Sequence, residues 1–228
     1  MIVDINSSSA AWRDDLVRDI RYHDHRDDLD WNGGSFAEVP DRFIEVRHPH
    51  HGYIVTMTPC NLHAIAEQYN LIKHHCKAIL EIGVNHNATP TDMTSTSFFI
   101  KNKNSDTVYL GVDINDKSYL SSHDKNIHML QADSGNVSSV MHYAHSLGIY
   151  QFDFIFIDGW HSINQVMREW EYSKYLSNDG IMGFHDTAVH PGPNLFLRNL
   201  NQSKWKVLEN CCGFDQNDFG VGFAWKRR

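Results

Sequence analysis

Cysteine is scarce in this chain and carries no pattern. Cys60, Cys76, Cys211 and Cys212 form no Cys-x-x-Cys pair and no zinc-like spacing. Adjacent thiols such as Cys211 and Cys212 do not readily bond each other. The expectation is therefore buried, reduced thiols in a cytoplasmic protein, not a disulfide scaffold or a zinc module. Long apolar runs are also missing. No stretch approaches the roughly 20 residues that cross a bilayer. Residues 1–11 have neither the basic start nor the apolar segment of a secretory leader. Positive charge is in deficit, with 20 Lys and Arg against 28 Asp and Glu and a formal net charge of −8. That balance disfavours nucleic acid as a partner. Glycine is present but not clustered, and no Gly-x-Gly-x-x-Gly run occurs. This weighs against a nicotinamide dinucleotide fingerprint. Internal repeats and low-complexity tracts are absent as well.

What is present is a regular α/β pattern behind a different N-terminal stretch. Hydrophobic residues make up 41% of the 228, enough to build a real core. Residues 1–58 are polar and turn-rich around Tyr22 to Gly34 and read as an N-terminal extension, with a lid or a homo-oligomer contact as its two candidate roles. From Asn61, a fair N-cap, Leu62, Ile65, Ala66, Tyr69 and Ile72 recur at helical spacing. Buried-type strands follow at 78–84, 108–113, 127–133, 152–157 and 181–186. Between them lie helical segments near 95–101, 116–122, 137–147 and 163–176, the last closed by a turn at Asn178-Asp179-Gly180. A helix within 191–200 and two closing strands, 205–209 and 220–225, complete the chain. Alternating strands and helices predict a mainly parallel, doubly wound sheet with right-handed crossovers. Two closing strands with no helix between them predict an antiparallel ending.

The chemistry collects at the strand ends. In open α/β sheets, ligands bind past the carboxyl ends of the strands, and five ends in a row here carry an acid: Glu81, Asp113, Asp133, Asp158 and Asp186. Gly83, just past the first strand, would let backbone approach a ligand closely. Asp113 suits the two hydroxyls of a ribose, although it lies 32 residues after Glu81, beyond the roughly 20 of a dinucleotide unit. Capping the next helix is its alternative role. Asp133 and Ser134 can reach an adenine amino group or cap the helix at Val137. Neighbouring parallel strands would bring Asp158, His185 and Asp186 together. Two carboxylates and an imidazole suit Mg²⁺ or Mn²⁺; a hydrogen-bonded acid pair without metal is the alternative.

With these residues in view, positions 60–228 resemble the class I S-adenosylmethionine-dependent methyltransferases. Phe156-Ile157-Asp158-Gly159-Trp160-His161, a helix, the Asn178-Asp179-Gly180 turn and Gly183-Phe184-His185-Asp186 look like one subgroup. It comprises small-molecule O-methyltransferases related to the cephalosporin-biosynthesis and macrolide-sugar enzymes. The resemblance implies a Rossmann-like, seven-stranded sheet, mainly parallel with an antiparallel last strand and helices on both faces. It implies S-adenosyl-L-methionine as cofactor. Glu81, Gly83 and the loop from Asn85 would hold the methionine part, Asp113 the ribose, and Asp133 with Ser134 the adenine. Asp158 would be shared between the cofactor side and a metal completed by His185 and Asp186. The chain departs from the family in the first loop, which lacks the later glycines. Thr94 and Ser95, opening the next helix, would contact the cofactor carboxylate instead.

The activity implied is methyl transfer to a hydroxyl of a small molecule or sugar. An alcohol needs a base within reach or a metal that lowers its pKa. His161 is the candidate base and Asp158 its catalytic neighbour; capping the following helix is the alternative for His161. A nicotinamide-dependent oxidoreductase and a catalytically inactive binding protein on the same fold are the rival functions.

Overall fold

The computed structural model describes residues 59–84, 94–161, 163–187, 191–209 and 220–227. The extension 1–58, the Cys211-Cys212 pair and Asn85 lie outside the described residues. The elements run α1 (Pro59–Ile72), β1 (Ala78–Ile82), α2 (Ser95–Asn102), β2 (Val108–Asp113), β3 (Ile127–Gln131) and α3 (Val137–Ser146). They continue with β4 (Phe152–Ile157), α4 (Ile163–Glu169) extended by a 3₁₀ segment Trp170–Tyr175, β5 (Leu176–His185), α5 (Pro191–Arg198), β6 (Trp205–Leu208) and β7 (Val221–Lys226).

The strands form one seven-stranded sheet in the order β3-β2-β1-β4-β5-β7-β6. Neighbours from β3 to β5 pair in parallel, and β7 is antiparallel to both β5 and β6. The doubly wound, Rossmann-like sheet with an antiparallel last strand is thus the observed fold. Strand alternation sorts the core into two layers. Leu80, Ile82, Ile155, Ile157, Met182 and Phe184 face α3, α4 and α5. Ile79, Tyr109, Phe154 and Phe156 face α1 and α2. On the first side Trp170 is 2% exposed and packs on Trp205 and Phe196 at ring-centroid distances of 4.7 and 5.0 Å. On the second, Phe99 of α2 lies 5.3 Å from Phe154 and 5.8 Å from Phe156. Cys76 is a free, buried thiol, as expected, and burial pushes it up to about 12. No helix among the described residues is long and apolar enough to cross a membrane.

Three local readings change. The helix expected to start at Asn61 begins at Pro59, where proline is at home in a first turn. Asn61 is therefore inside the helix and fully buried, with its side-chain nitrogen 3.1 Å from His185 Nε2. The 116–122 helix is replaced by two short 3₁₀ turns, Ser118–Leu120 and His123–Lys125. The Asn178-Asp179-Gly180 turn lies within β5 as an irregularity, because Phe152 pairs with Leu176 but Phe154 with Ile181. The extra residues bulge out, and the sheet resumes beyond them.

Candidate active site

Parallel register lines the strand ends up along one rim. Ile82 sits opposite both Val112 and Ile157, Asp113 opposite Gln131, and Ile157 opposite Phe184. One residue further along, this alignment carries Asp158 and His185 to the same edge. Asp186 then turns the chain with φ +60. Among non-glycine residues, aspartate is one of the few that enter this left-handed region readily. The turn brings Asp186 back over the rim instead of letting β5 continue.

The result is a compact cluster of two acids and two imidazoles. His185 Nδ1 is 3.1 Å from Asp158 Oδ1 and 3.1 Å from Asp186 Oδ1. His161 Nε2 is in ion-pair contact with Asp186 Oδ2 and lies 3.9 Å from Asp158 Oδ1. The His185 side chain is 0% exposed, Asp186 3%, Asp158 18% and His161 25%, so the cluster opens to solvent through His161 and Asp158. Burial works against charge on Asp186, His161 and His185, but the mutual attraction outweighs it. Asp186 is held well below the usual carboxylate range by His161 and His185. His161 is pushed up to about 10 by Asp186 and Asp158 against the effect of burial. The cluster is electroneutral with two carboxylates and two imidazolium rings. It is equally so with two carboxylates, neutral rings and one divalent cation.

Asp158, His161 and Asp186 each offer one ligand atom, all within 4.8 Å of one another. Two carboxylates and an imidazole suit a hard or borderline divalent ion. This donor set differs from the expected one, in which His185 was the third ligand. Strand alternation explains the change. Phe184 faces α5, so His185 faces α1, where its Nε2 is taken up with Asn61. From there its Nδ1 lies within ion-pair distance, 3.1 Å, of an oxygen of each acid, on the side away from solvent. His161 thus offers a ligand atom besides being the candidate base, and either role needs its ring in the neutral form.

Glu81, at the end of β1, is fully buried on the α2 face. Its carboxylate accepts from Ser95 Oγ at 2.5 Å and from the Tyr109 hydroxyl. It thus fastens the start of α2 to the sheet, and burial raises it to about 7. Thr94 is the N-cap of α2, its hydroxyl oxygen accepting from Ser97 N at 3.1 Å. Gly83 has φ +80, and a Cβ there would lie 1.9 Å from the Asp158 carbonyl oxygen. The close approach that requires this glycine is made by the β4 backbone. Asp113 is 6% exposed, with Oδ2 accepting from Val84 N at 3.0 Å and Oδ1 from Asn115 N at 2.8 Å. It binds the β1 turn to its own turn and caps no α-helix.

At the β3 end, Asn136 is the α3 N-cap, so neither Asp133 nor Ser134 has that role. Exposed Asp133 accepts from Gly135 N at 2.8 Å. Ser134 Oγ donates to Glu169 Oε1 at 2.6 Å, and Gln165 Nε2 donates to both at 3.0 and 2.9 Å. Glu169 is fully buried, and burial raises it to about 7. Sequence reasoning passed over Glu169, Tyr109 and the contact of Asn61 with His185. Gln165 and Glu169 stand at i, i+4 beside an apolar stripe, the ordinary mark of a solvated helix face, so the sequence held no signal for burial.

Two glutamates raised from 4.5 to about 7 have a measurable consequence. Between those values the folded state holds protons that the unfolded state has released. The contribution of these two groups to stability should therefore fall as pH rises from about 4.5 to about 7, by about 3 kcal/mol for each fully shifted group, and be constant above that. Glu169→Gln should remove one share of this slope and be the more stable protein at pH 8. Urea midpoints across pH 5–8 check this; parallel profiles for the variant and the wild type would contradict it.

No protein-family model and no curated protein matches the chain. Solved structures do. MycE methyltransferase from the mycinamycin biosynthetic pathway, in complex with Mg, SAH and mycinamycin VI, superimposes with a TM-score of 0.54. Identity is 17%, over 72% of this chain and 49% of that one. A second MycE structure, with Mg and SAH, gives a TM-score of 0.51 at 19% identity over the same shares. CalS11, a calicheamicin methyltransferase, gives 0.51 at 11% identity, over 98% of this chain and 95% of that one. The chain spans about half the length of the MycE chains it matches. At these identities the likeness is one of fold: this is the seven-stranded, Rossmann-like sheet of those methyltransferases.

Proposed function

We propose that the chain is an S-adenosyl-L-methionine-dependent methyltransferase acting on a hydroxyl of a small molecule or sugar, with Mg²⁺ or Mn²⁺ at the acid pair. The observation that carries this reading is the Asp158, His161 and Asp186 cluster on the rim of a sheet that also ends in Glu81 and Asp113. The fold neighbours support it, since MycE is seen with Mg, SAH and mycinamycin VI. The net charge of −8 favours a small acceptor over nucleic acid.

Asp113 would receive the ribose hydroxyls on the lone pairs that Val84 and Asn115 leave over. Asp133 and Ser134 would border the adenine. Gly83, Asn85, Thr94 and Ser95 would surround the methionine part, with Glu81 acting through Ser95 to hold α2 in place. The cofactor supplies an electrophilic methyl group on sulfur. Asp158, Asp186 and His161 would hold a divalent cation, which would lower the pKa of the acceptor hydroxyl. The hydroxyl proton would pass to solvent, and S-adenosylhomocysteine would leave as the oxygen takes the methyl group. The remaining work of the protein is alignment, because in-line displacement depends steeply on the geometry of the reacting atoms. Buried His185 contributes by fixing the two acids, and the left-handed turn at Asp186 by keeping the pair at the rim.

Calorimetric titration with S-adenosylhomocysteine, with and without Mn²⁺, tests the reading, with NAD as the control. Saturable binding of S-adenosylhomocysteine and none of NAD is expected. Binding of NAD alone would replace the proposal with an oxidoreductase, and binding of neither would leave a fold without the activity.

A further inference from the structure

The β3 turn and the β4 turn are distant in sequence, yet both rest on one buried side chain. Glu169, at the end of α4, is 0% exposed. Its Oε1 accepts from Ser134 Oγ and Gln165 Nε2, and Gln165 also donates to Ser134, so the three side chains close a triangle with edges of 2.6, 2.9 and 3.0 Å. A Cβ on Gly159 would lie 3.0 Å from the same Oε1. The carboxylate thus fills the space directly beneath the Asp158-Gly159 turn. Tyr172, one turn further along, donates its hydroxyl to the Ser134 carbonyl at 2.7 Å. A Cβ on Gly135 would meet Gln165 and Arg168 at 3.2 Å, so α4 lies close under the whole 133–135 turn. The Ser134 hydroxyl is committed inside this triangle, and Asp133 is left exposed at the tip.

A fully buried carboxylate is costly and needs hydrogen-bonding partners. Here Oε1 has two, while Oε2 is buried with none. Core packing alone would be served better by an apolar residue, as the neighbouring Val166 and Trp170 show. What the carboxylate adds is a hydrogen-bonded link between α4 and the β3 turn that also packs against the β4 turn at Gly159.

We propose that Glu169 is a positioning residue that ties the β3 turn, carrying Asp133 and Ser134, to the β4 turn, carrying Asp158 and His161. The nucleoside end of the cofactor and the acid pair are thereby held at a set distance by a side chain that touches neither. This rests on the reading of Asp133 and Ser134 as the adenine side, but the tie itself can be tested without any ligand.

Hydrogen exchange of the backbone amides in the ligand-free protein is the first measurement. Glu169→Ala should lose protection at Gly135 and Asn136 and at Asp158, whose amide donates to Ile82 O, together, while the amides within β1 and β4 keep theirs. Glu169→Gln, which retains an oxygen for Ser134 and Gln165, should stay near the wild type. Ser134→Ala, a milder change should Glu169→Ala fail to fold, should loosen the 133–136 turn. The second measurement is S-adenosylhomocysteine affinity by calorimetry. It is expected to weaken tenfold or more in Glu169→Ala and to stay within threefold in Glu169→Gln. Unchanged protection at the two turns in both Glu169→Ala and Ser134→Ala would overturn the inference, as would equal damage from Gln and Ala at position 169. If the wild type binds no S-adenosylhomocysteine, the methyltransferase reading fails, and the exchange data still decide whether the tie exists.

Discussion

Asp186→Asn should abolish turnover while leaving the fold in place, and Asp158→Asn should do nearly the same. Asparagine enters the left-handed region about as readily as aspartate, so the turn at φ +60 survives the exchange. Only the charge is lost. With Asp186 neutral, His161 loses its ion-pair partner and His185 loses one of its two acids. Breaking a buried ion pair costs about 3–5 kcal/mol when the remaining charge stays uncompensated. Here the rings can release their protons instead, so the stability loss should be smaller. The functional loss should be large. A divalent ion would keep one carboxylate and one imidazole, and hard cations depend on anionic oxygen ligands. Mn²⁺ affinity should fall by about 100-fold or more, and kcat/KM by about a thousandfold. Circular dichroism, Mn²⁺ titration and a methyl-transfer assay on the two variants check this. Near-normal rates in either would remove the acid pair from the mechanism.

Among the glycines with a clash to judge by, Gly83→Ala should damage the protein most. The added Cβ would sit 1.9 Å from the Asp158 carbonyl oxygen and 2.5 Å from its carbon, both backbone atoms. They cannot yield without breaking the junction at which Asp158 N donates to Ile82 O at 2.8 Å and Gly83 N to Val112 O at 2.9 Å. The φ of +80 adds strain for any side chain. A loss of about 4 kcal/mol or more is expected, a large part of the 5–15 kcal/mol that holds a typical domain together. Gly148→Ala is the natural control. Its φ is +79, nearly the same, but nothing lies within 4 Å of the added Cβ. It should cost only the backbone strain, about 1–2 kcal/mol. Urea midpoints for the two variants separate steric collision from strain, and equal losses would show that the β1–β4 junction is looser than described.

The order of strands and helices could be read from the sequence because each depends on local patterning. Apolar runs ending in Glu81, Asp113, Asp158 and Asp186 announce strands buried on both faces, and helical spacing marks what lies between. The α/β alternation and antiparallel ending followed from connection rules alone. So did the gathering of acids on one rim, because parallel strands all end on the same side of the sheet. The 116–122 segment was misread because short polar stretches carry little periodicity.

The division of labour within the rim was decided only in three dimensions. Which face of β5 turns toward α1, and the left-handed residue at Asp186, are features that no periodicity reveals, and they place His185 on the buried side of the acid pair and His161 on its exposed side. Gly83 could be recognised as necessary, but the reason could not: its neighbour is a backbone carbonyl 75 positions further along the chain. Glu169 looks in sequence like an ordinary helix polar residue and Asn61 like an N-cap, and only packing buries them against Ser134 and His185. Local chemistry therefore determined which residues reach the rim. Contacts across the sheet, where a carboxylate's charge and an imidazole's role are set by neighbours distant in sequence, determined what each one does there.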